Sequence, residues 1–154
     1  MENIVKKLIE KNRTISTMES CTGGGVVNEI TNISGSSEIL KYSAVTYSNE
    51  FKIKMGVDKN IVEKYSVYSL ETAIEMSRSI SKFTKSSYGI GITGKLNRAD
   101  KNNLYGDDNT VFISIYDSYN NKYYNEKIIV NKETRQENKQ MVINKIIEML
   151  NKIL

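Results

Sequence analysis

The spacing of apolar side chains divides the chain into alternating short helices and strands. Residues 2–12 place Ile4, Val5, Leu8 and Ile9 on one face, which predicts a short amphipathic helix. Arg13 to Met18 reads as a strand, and the turn Ser20–Cys21–Thr22–Gly23–Gly24–Gly25 follows it. Val26, Val27 and Ile30 predict a helical segment ending near Gly35. The β-branched and aromatic stretch from Ile39 to Ser48 predicts a second strand. Asn49 to Met55 predicts a short helix stopped by Gly56, with a further helical turn or two around Ile61. Ser69 is a good N-cap for a longer helix, in which Ala73, Met76, Ile80 and Phe83 recur at helical spacing.

Tyr88 to Thr93 is a compact apolar strand, and residues 94–109 are a polar connection long enough to imply function or disorder. Thr110 to Ile115 and Tyr123 to Val130 predict a hairpin across Asn120–Asn121. The last helix starts near Thr134, three residues before Glu137 as in a capping box, and buries Val142, Ile146, Leu150 and Ile153. Strands and helices alternate early and a hairpin closes the sheet. The expected fold is therefore α/β: one three-layer domain over residues 1–154, a mixed β-sheet flanked by helices, with a C-terminal β-hairpin and helix.

Composition narrows the chemistry. One cysteine excludes an intramolecular disulfide and favours a reducing compartment. The first twelve residues lack the unbroken apolar stretch of a signal peptide, and no run has the length of a membrane span, so a cytoplasmic protein without a membrane partner is expected. The 22 basic and 18 acidic residues leave a net charge of +4, but the lysines are dispersed, which argues against a nucleic-acid partner. There is no histidine. That rules out a Ser-His-Asp or Cys-His machine and a histidine-ligated zinc, and a lone cysteine rules out a thiolate cage. No metal and no cofactor are expected. Acid–base chemistry falls to lysine, tyrosine, carboxylates or bound water.

Two segments carry candidate chemistry. In Glu19–Ser20–Cys21–Thr22–Gly23–Gly24–Gly25, glycines permit positive φ and close approach of a ligand, and amides at the following helix start would attract an anion or oxyanion. Ser20 is then a candidate nucleophile; equally, Ser20 or Thr22 could simply cap that helix. No lysine follows the glycines in the Walker position. In Tyr47–Ser48–Asn49–Glu50–Phe51–Lys52, a strand passes into a short helix, and Tyr47 and Lys52 either share a cleft or serve as a strand aromatic and a surface cation.

At these segments the chain resembles the CinA C-terminal domain family, the PncC-type nicotinamide mononucleotide deamidases. The block AESCTGG of that family is matched by Met18 to Gly24, its GSS by Gly35–Ser36–Ser37, and its VTYSNExK by Val45 to Lys52. Gly56–Val57 and, with one residue inserted, Val67 and Ser69 continue the match. The resemblance implies a histidine-free serine amidohydrolase that converts nicotinamide mononucleotide to nicotinate mononucleotide and ammonia within pyridine-nucleotide recycling. It implies Ser20 as nucleophile, with Tyr47 and Lys52 assisting proton transfer; by chemistry alone Cys21 is the rival nucleophile, and the family pattern favours Ser20. It implies substrate contacts from Thr22, Gly23, Gly24, Thr93 and Gly94, with Arg135 as a candidate phosphate ligand, and it implies a homo-oligomer. The family loop of the form IAGPGG is replaced after Thr93–Gly94 by Lys95–Leu96–Asn97–Arg98–Ala99–Asp100. That departure supports an alternative, a divergent member that binds a nucleotide or protein partner without turnover. The family's competence-related name adds a third reading, an accessory protein of DNA uptake or repair.

Overall fold

The computed structural model describes residues 1–154. Its strands are β1 (Ile15–Glu19), β2 (Leu40–Val45), β3 (Tyr88–Gly94), β4 (Thr110–Asp117) and β5 (Lys122–Ile129). Its helices are α1 (Glu2–Glu10), α2 (Gly25–Thr31), α3 (Ser36–Ile39), α4 (Asn49–Lys54), α5 (Lys59–Tyr65), α6 (Leu70–Thr84) and α7 (Arg135–Ile153). The strands form one mixed sheet in the order β2-β1-β3-β4-β5. β1 runs parallel to β2 and β3, while β4 is antiparallel to β3 and β5. This is the α/β architecture with a closing hairpin and helix that the pattern predicts.

Each face of the sheet has its own helical cover. Ile15, Ile90, Ile92, Val111, Ile113 and Ile115 point towards α1, α2 and α7, whose Leu8, Val26, Ile30, Val142, Ile146 and Leu150 complete the main core. The opposite face packs Met18 against Met76 and Ile80 of α6 and Val62 of α5. Alternation along β3 explains how α6 is seated. With Ile90 and Ile92 on the main-core side, Gly89 and Gly91 face α6. A Cβ on Gly91 would lie 2.2 Å from the Ala73 carbonyl oxygen, and one on Gly89 2.0 Å from that of Ser77. Only glycine tolerates a helix backbone that close to a strand.

Several boundaries differ from the pattern. β1 begins at Ile15 and runs to Glu19, and β2 spans only Leu40–Val45, because Ile39 ends the unforeseen helix α3. Past Val45, Thr46 still donates its N–H to the Glu19 carbonyl at 2.8 Å, and Ser48 leaves the sheet to cap α4 through the Phe51 N–H. β4 extends to Asp117, whose carboxylate accepts the N–H groups of Tyr119 and Asn120 and so shapes the hairpin turn. Phe83 is not a core residue: it is 65% exposed and lies against Tyr42, ring centroids 5.7 Å apart. Ile153 is half-buried at the core's margin. Thr134 and Glu137 do form the expected capping box. No helix is long and apolar enough to cross a membrane.

Candidate active site

The three parallel strands end on the same side of the sheet, and the chain leaving each of them lines a single cavity of about 560 Å³. Ser20 follows β1, Tyr47, Ser48 and Asn49 follow β2, and Gly94 to Leu96 close β3. A crevice at the carboxyl ends of parallel strands is where open α/β sheets place their ligands.

Glu19 organises the turn that holds Ser20. As the last residue of β1 its side chain points to the α2 side, fully buried. Its carboxylate accepts the N–H groups of Gly24 (3.0 Å), Val26 (3.2 Å) and Val27 (2.9 Å) and the hydroxyls of Thr22 (2.7 Å) and Thr17 (3.2 Å). A carboxylate at a helix N-terminus satisfies orphan donors and complements the helix dipole. The left-handed residues Gly23 (φ 62°) and Gly24 (φ 91°) let the chain turn back so that these amides reach it. The helix-start amides that the sequence offers to an anion are thus already occupied. Thr22 is buried with its hydroxyl on Glu19, and Thr22, Gly23 and Gly24 do not line the cavity. By contrast, the backbone N–H groups of Cys21 and Thr22 have no backbone carbonyl partner.

Ser20 itself is pinned by its N–H to the Ile92 carbonyl at 3.1 Å and opens into the cavity. Behind it, α4 delivers Lys52, 1% exposed. The Lys52 Nζ lies 3.1 Å from Ser20 Oγ and donates to the Thr46 carbonyl at 2.7 Å. No ion pair offsets its burial, and desolvation lowers its pKa from the usual lysine range to about 8. A hydroxyl in contact with an amine that can shed its proton near neutrality has the geometry to be activated as a nucleophile by that amine. Cys21 is also buried, and desolvation pushes its thiol up to about 12, against the opposing field of Arg135.

The remaining expected residues are spread around this pair. Tyr47 lines the cavity but is 62% exposed, and its hydroxyl accepts from Arg135 Nη2 at 3.0 Å rather than meeting Ser20 or Lys52. A bridge from Tyr47 to the Ser20–Lys52 pair is therefore absent. Arg135 reaches the cavity from the first turn of α7. Gly94 lines it too, whereas Thr93 is buried outside it and donates its hydroxyl to the Val67 carbonyl at 2.8 Å.

The 94–109 connection is a built wall. Lys95 donates from Nζ to Asp108 Oδ1 (3.0 Å) and to the Gly106 carbonyl (3.3 Å), and Arg98 donates its N–H to the Asp108 carbonyl, so the two arms are tied together. Asp100 accepts from the Tyr68 hydroxyl, the Asn102 N–H and Asn103 Nδ2, and Asn49 of α4 donates to Asn103 Oδ1 at 3.1 Å. Asp100 sits below the usual carboxylate range chiefly because of the Tyr68 hydrogen bond, and burial raises Tyr68. Tyr68, Asn49, Asn103, Lys95 and Arg98 escape sequence reasoning; the Asn- and Asp-rich make-up of the loop is the signal that marks a hydrogen-bonded loop. No group of three or more Cys, Asp and Glu side chains is placed to hold a metal.

A profile of the family described as CinA C-terminal domain matches residues 1–154. The chain belongs to the CinA C-terminal domain family. It is 42% identical over 113 residues to a CinA-like protein of Flavobacterium psychrophilum, covering 71% of this chain and 26% of that protein. It is 45% identical over 96 residues to a CinA-like protein of Kosmotoga olearia, covering 61% of this chain and 23% of that one. The chain thus spans about a quarter of the length of these curated relatives. Its fold matches the crystal structure of a competence-damaged protein (CinA) superfamily protein from Escherichia coli with a TM-score of 0.89 and 20% identity, over 99% of this chain and 90% of that one.

Proposed function

We infer that this CinA-family chain is an amidohydrolase that deamidates nicotinamide mononucleotide to nicotinate mononucleotide and ammonia. The observation that carries the reading is the buried Lys52 amine 3.1 Å from a cavity-facing Ser20 hydroxyl, in a chain with no histidine. The AESCTGG and VTYSNExK resemblance supplies the substrate.

In this scheme neutral Lys52 takes the Ser20 proton as Oγ bonds to the carboxamide carbon. The developing oxyanion is met by the N–H of cavity-lining Cys21, the residue after the nucleophile, a donor of the kind that stabilises tetrahedral intermediates. The Lys52 ammonium then returns the proton to the departing nitrogen, releasing ammonia and leaving an acyl ester on Ser20. Water, deprotonated by the same amine, cleaves that ester to nicotinate mononucleotide and restores the Ser20 hydroxyl. Tyr47 acts at one remove, by holding Arg135 at the cavity rim.

Incubating the purified protein with nicotinamide mononucleotide and measuring ammonia tests the reading. Release that disappears in Ser20→Ala supports it; a folded wild-type protein that binds the mononucleotide but releases none points to the non-catalytic alternative.

A further inference from the structure

Four side chains that bear full charges line the cavity: Lys95, Arg98, Asp100 and Arg135. Two of them are already spent. Lys95 is paired with Asp108 at 3.0 Å and further held by the Gly106 carbonyl. Asp100 is held by Tyr68, Asn102 and Asn103. The other two are not. Neither Arg98 nor Arg135 takes part in any ion pair of the molecule, and Arg135 donates only to the Tyr47 hydroxyl. Two arginines without an ion-pair partner therefore line the cavity, brought from the far-separated 95–109 loop and the start of α7.

We propose that Arg98 is the specificity-determining residue of this site: with Arg135 it forms a clamp for a phosphate monoester, so that the site takes a mononucleotide in preference to the uncharged nucleoside. This rests on the deamidase reading for its substrate and deepens it. A phosphate monoester carries close to two negative charges at neutral pH, matched by two arginines, and planar guanidinium forks suit its oxygens. The loop that presents Arg98 is fixed on both sides of it. Its own N–H is tied to the Asp108 carbonyl at 3.2 Å, and two residues on, Asp100 is latched to Tyr68. The side chain itself is exposed and has no structural partner, so it is free for a ligand.

The test compares nicotinamide mononucleotide with nicotinamide riboside as substrates of the wild-type protein, Arg98→Ala and Arg98→Lys. A charged hydrogen bond is worth enough that Arg98→Ala should raise KM for the mononucleotide about tenfold to a hundredfold. Its kcat should stay within about threefold, because the lost contact is present in both ground and transition states. Riboside kinetics should be unchanged, and Arg98→Lys should recover part of the loss. An unaltered mononucleotide KM in Arg98→Ala, or an equal loss on both substrates, overturns the proposal. If the wild-type protein releases no ammonia, the deamidase reading fails separately. Calorimetric titration with the same two compounds still decides the clamp: Arg98→Ala must weaken the mononucleotide and leave the riboside alone, and equal affinity of the wild-type protein for both defeats it.

Discussion

Lys52 Nζ lies 3.1 Å from Ser20 Oγ and 2.7 Å from the Thr46 carbonyl, with no carboxylate among its partners. Such a lysine is costly to keep charged, and that cost suits it to the proposed role of base. Only the neutral amine can accept the Ser20 proton, and burial has brought its pKa to about 8. Deamidation should therefore rise with pH and level off above about 8. Lys52→Arg, which holds its proton throughout, should be inactive across the range. A flat pH profile between 6 and 9, with chemistry rate-limiting, would remove Lys52 from the role of base.

The same burial has a stability consequence. The folded pKa of about 8 lies below the ordinary 10.5, so between these values the unfolded chain binds the proton more tightly. Stability then rises with pH across that window, and the penalty for the buried charge is fully present below about 8. At about 1.4 kcal/mol per unit, the penalty at neutral pH is roughly 3–4 kcal/mol. Lys52→Met should unfold at a higher temperature than wild type at pH 7, lose activity, and lose its stability advantage by about pH 10. A Met variant that melts lower at pH 7 contradicts this account.

Glu19 should behave as the keystone of the serine turn. Glu19→Gln keeps the shape but replaces one acceptor oxygen with a donor facing the α2 amides. Mispairing a buried group of this kind costs roughly 2–4 kcal/mol. Denaturant unfolding should show that loss. Deamidase activity should fall as well, since Ser20 follows Glu19 directly.

Gly91→Ala tests the seating of α6. The added carbon would stand 2.2 Å from the Ala73 carbonyl oxygen, so the helix must move off the sheet or the strand must bend. A loss of about 2–4 kcal/mol is expected from overpacking at a backbone contact. An unchanged melting temperature would show that α6 shifts freely.

What was legible in the sequence was the material governed by period and by motif. The strand–helix alternation, the hairpin and the α7 capping box follow from local spacing, and the Ser20 and Lys52 blocks follow from resemblance. What was not legible depends on long-range closure. Gly89 and Gly91 read as part of an apolar run, because only the path of α6 shows why they lack side chains. Glu19 lies in plain view beside Ser20, but its role depends on the turn folding α2 back over it. Tyr47 reads as a neighbour of Lys52, yet it leaves β2 as Lys52 is carried inward by α4, and the partner its hydroxyl finds is 88 residues away in Arg135. The 94–109 segment shows only polarity in one dimension; its order comes from Tyr68 and Asn49 meeting Asp100 and Asn103 across the fold.

That separation of Tyr47 from Ser20 and Lys52 changes what its removal should do. Tyr47→Phe frees Arg135 without touching Ser20 or Lys52. The effect should appear mainly in KM, with kcat reduced by less than about tenfold, below the loss typical of a positioned acid–base group. A kcat loss of about 10³-fold would mean that the tyrosine swings to Ser20 when substrate binds.

Cys21 stands next to Ser20 in the chain and is the stronger nucleophile by element, so the choice between them must be decided by environment. The thiolate, not the thiol, attacks carbonyl carbon. Burial holds the Cys21 thiol at about 12, and no hydrogen bond joins it to Lys52, whose contacts are Ser20 and Thr46. At pH 7 its thiolate is negligible, while the Ser20 hydroxyl has a base within reach of its proton. Ser20→Ala should therefore abolish ammonia release with folding intact, and Cys21→Ser should retain most of it. Mass spectrometry of a slowly hydrolysed acyl adduct should find the label on Ser20. An active Ser20→Ala protein beside an inactive Cys21→Ser one would reverse the assignment and make the thiol, recharged by some rearrangement of the turn, the nucleophile.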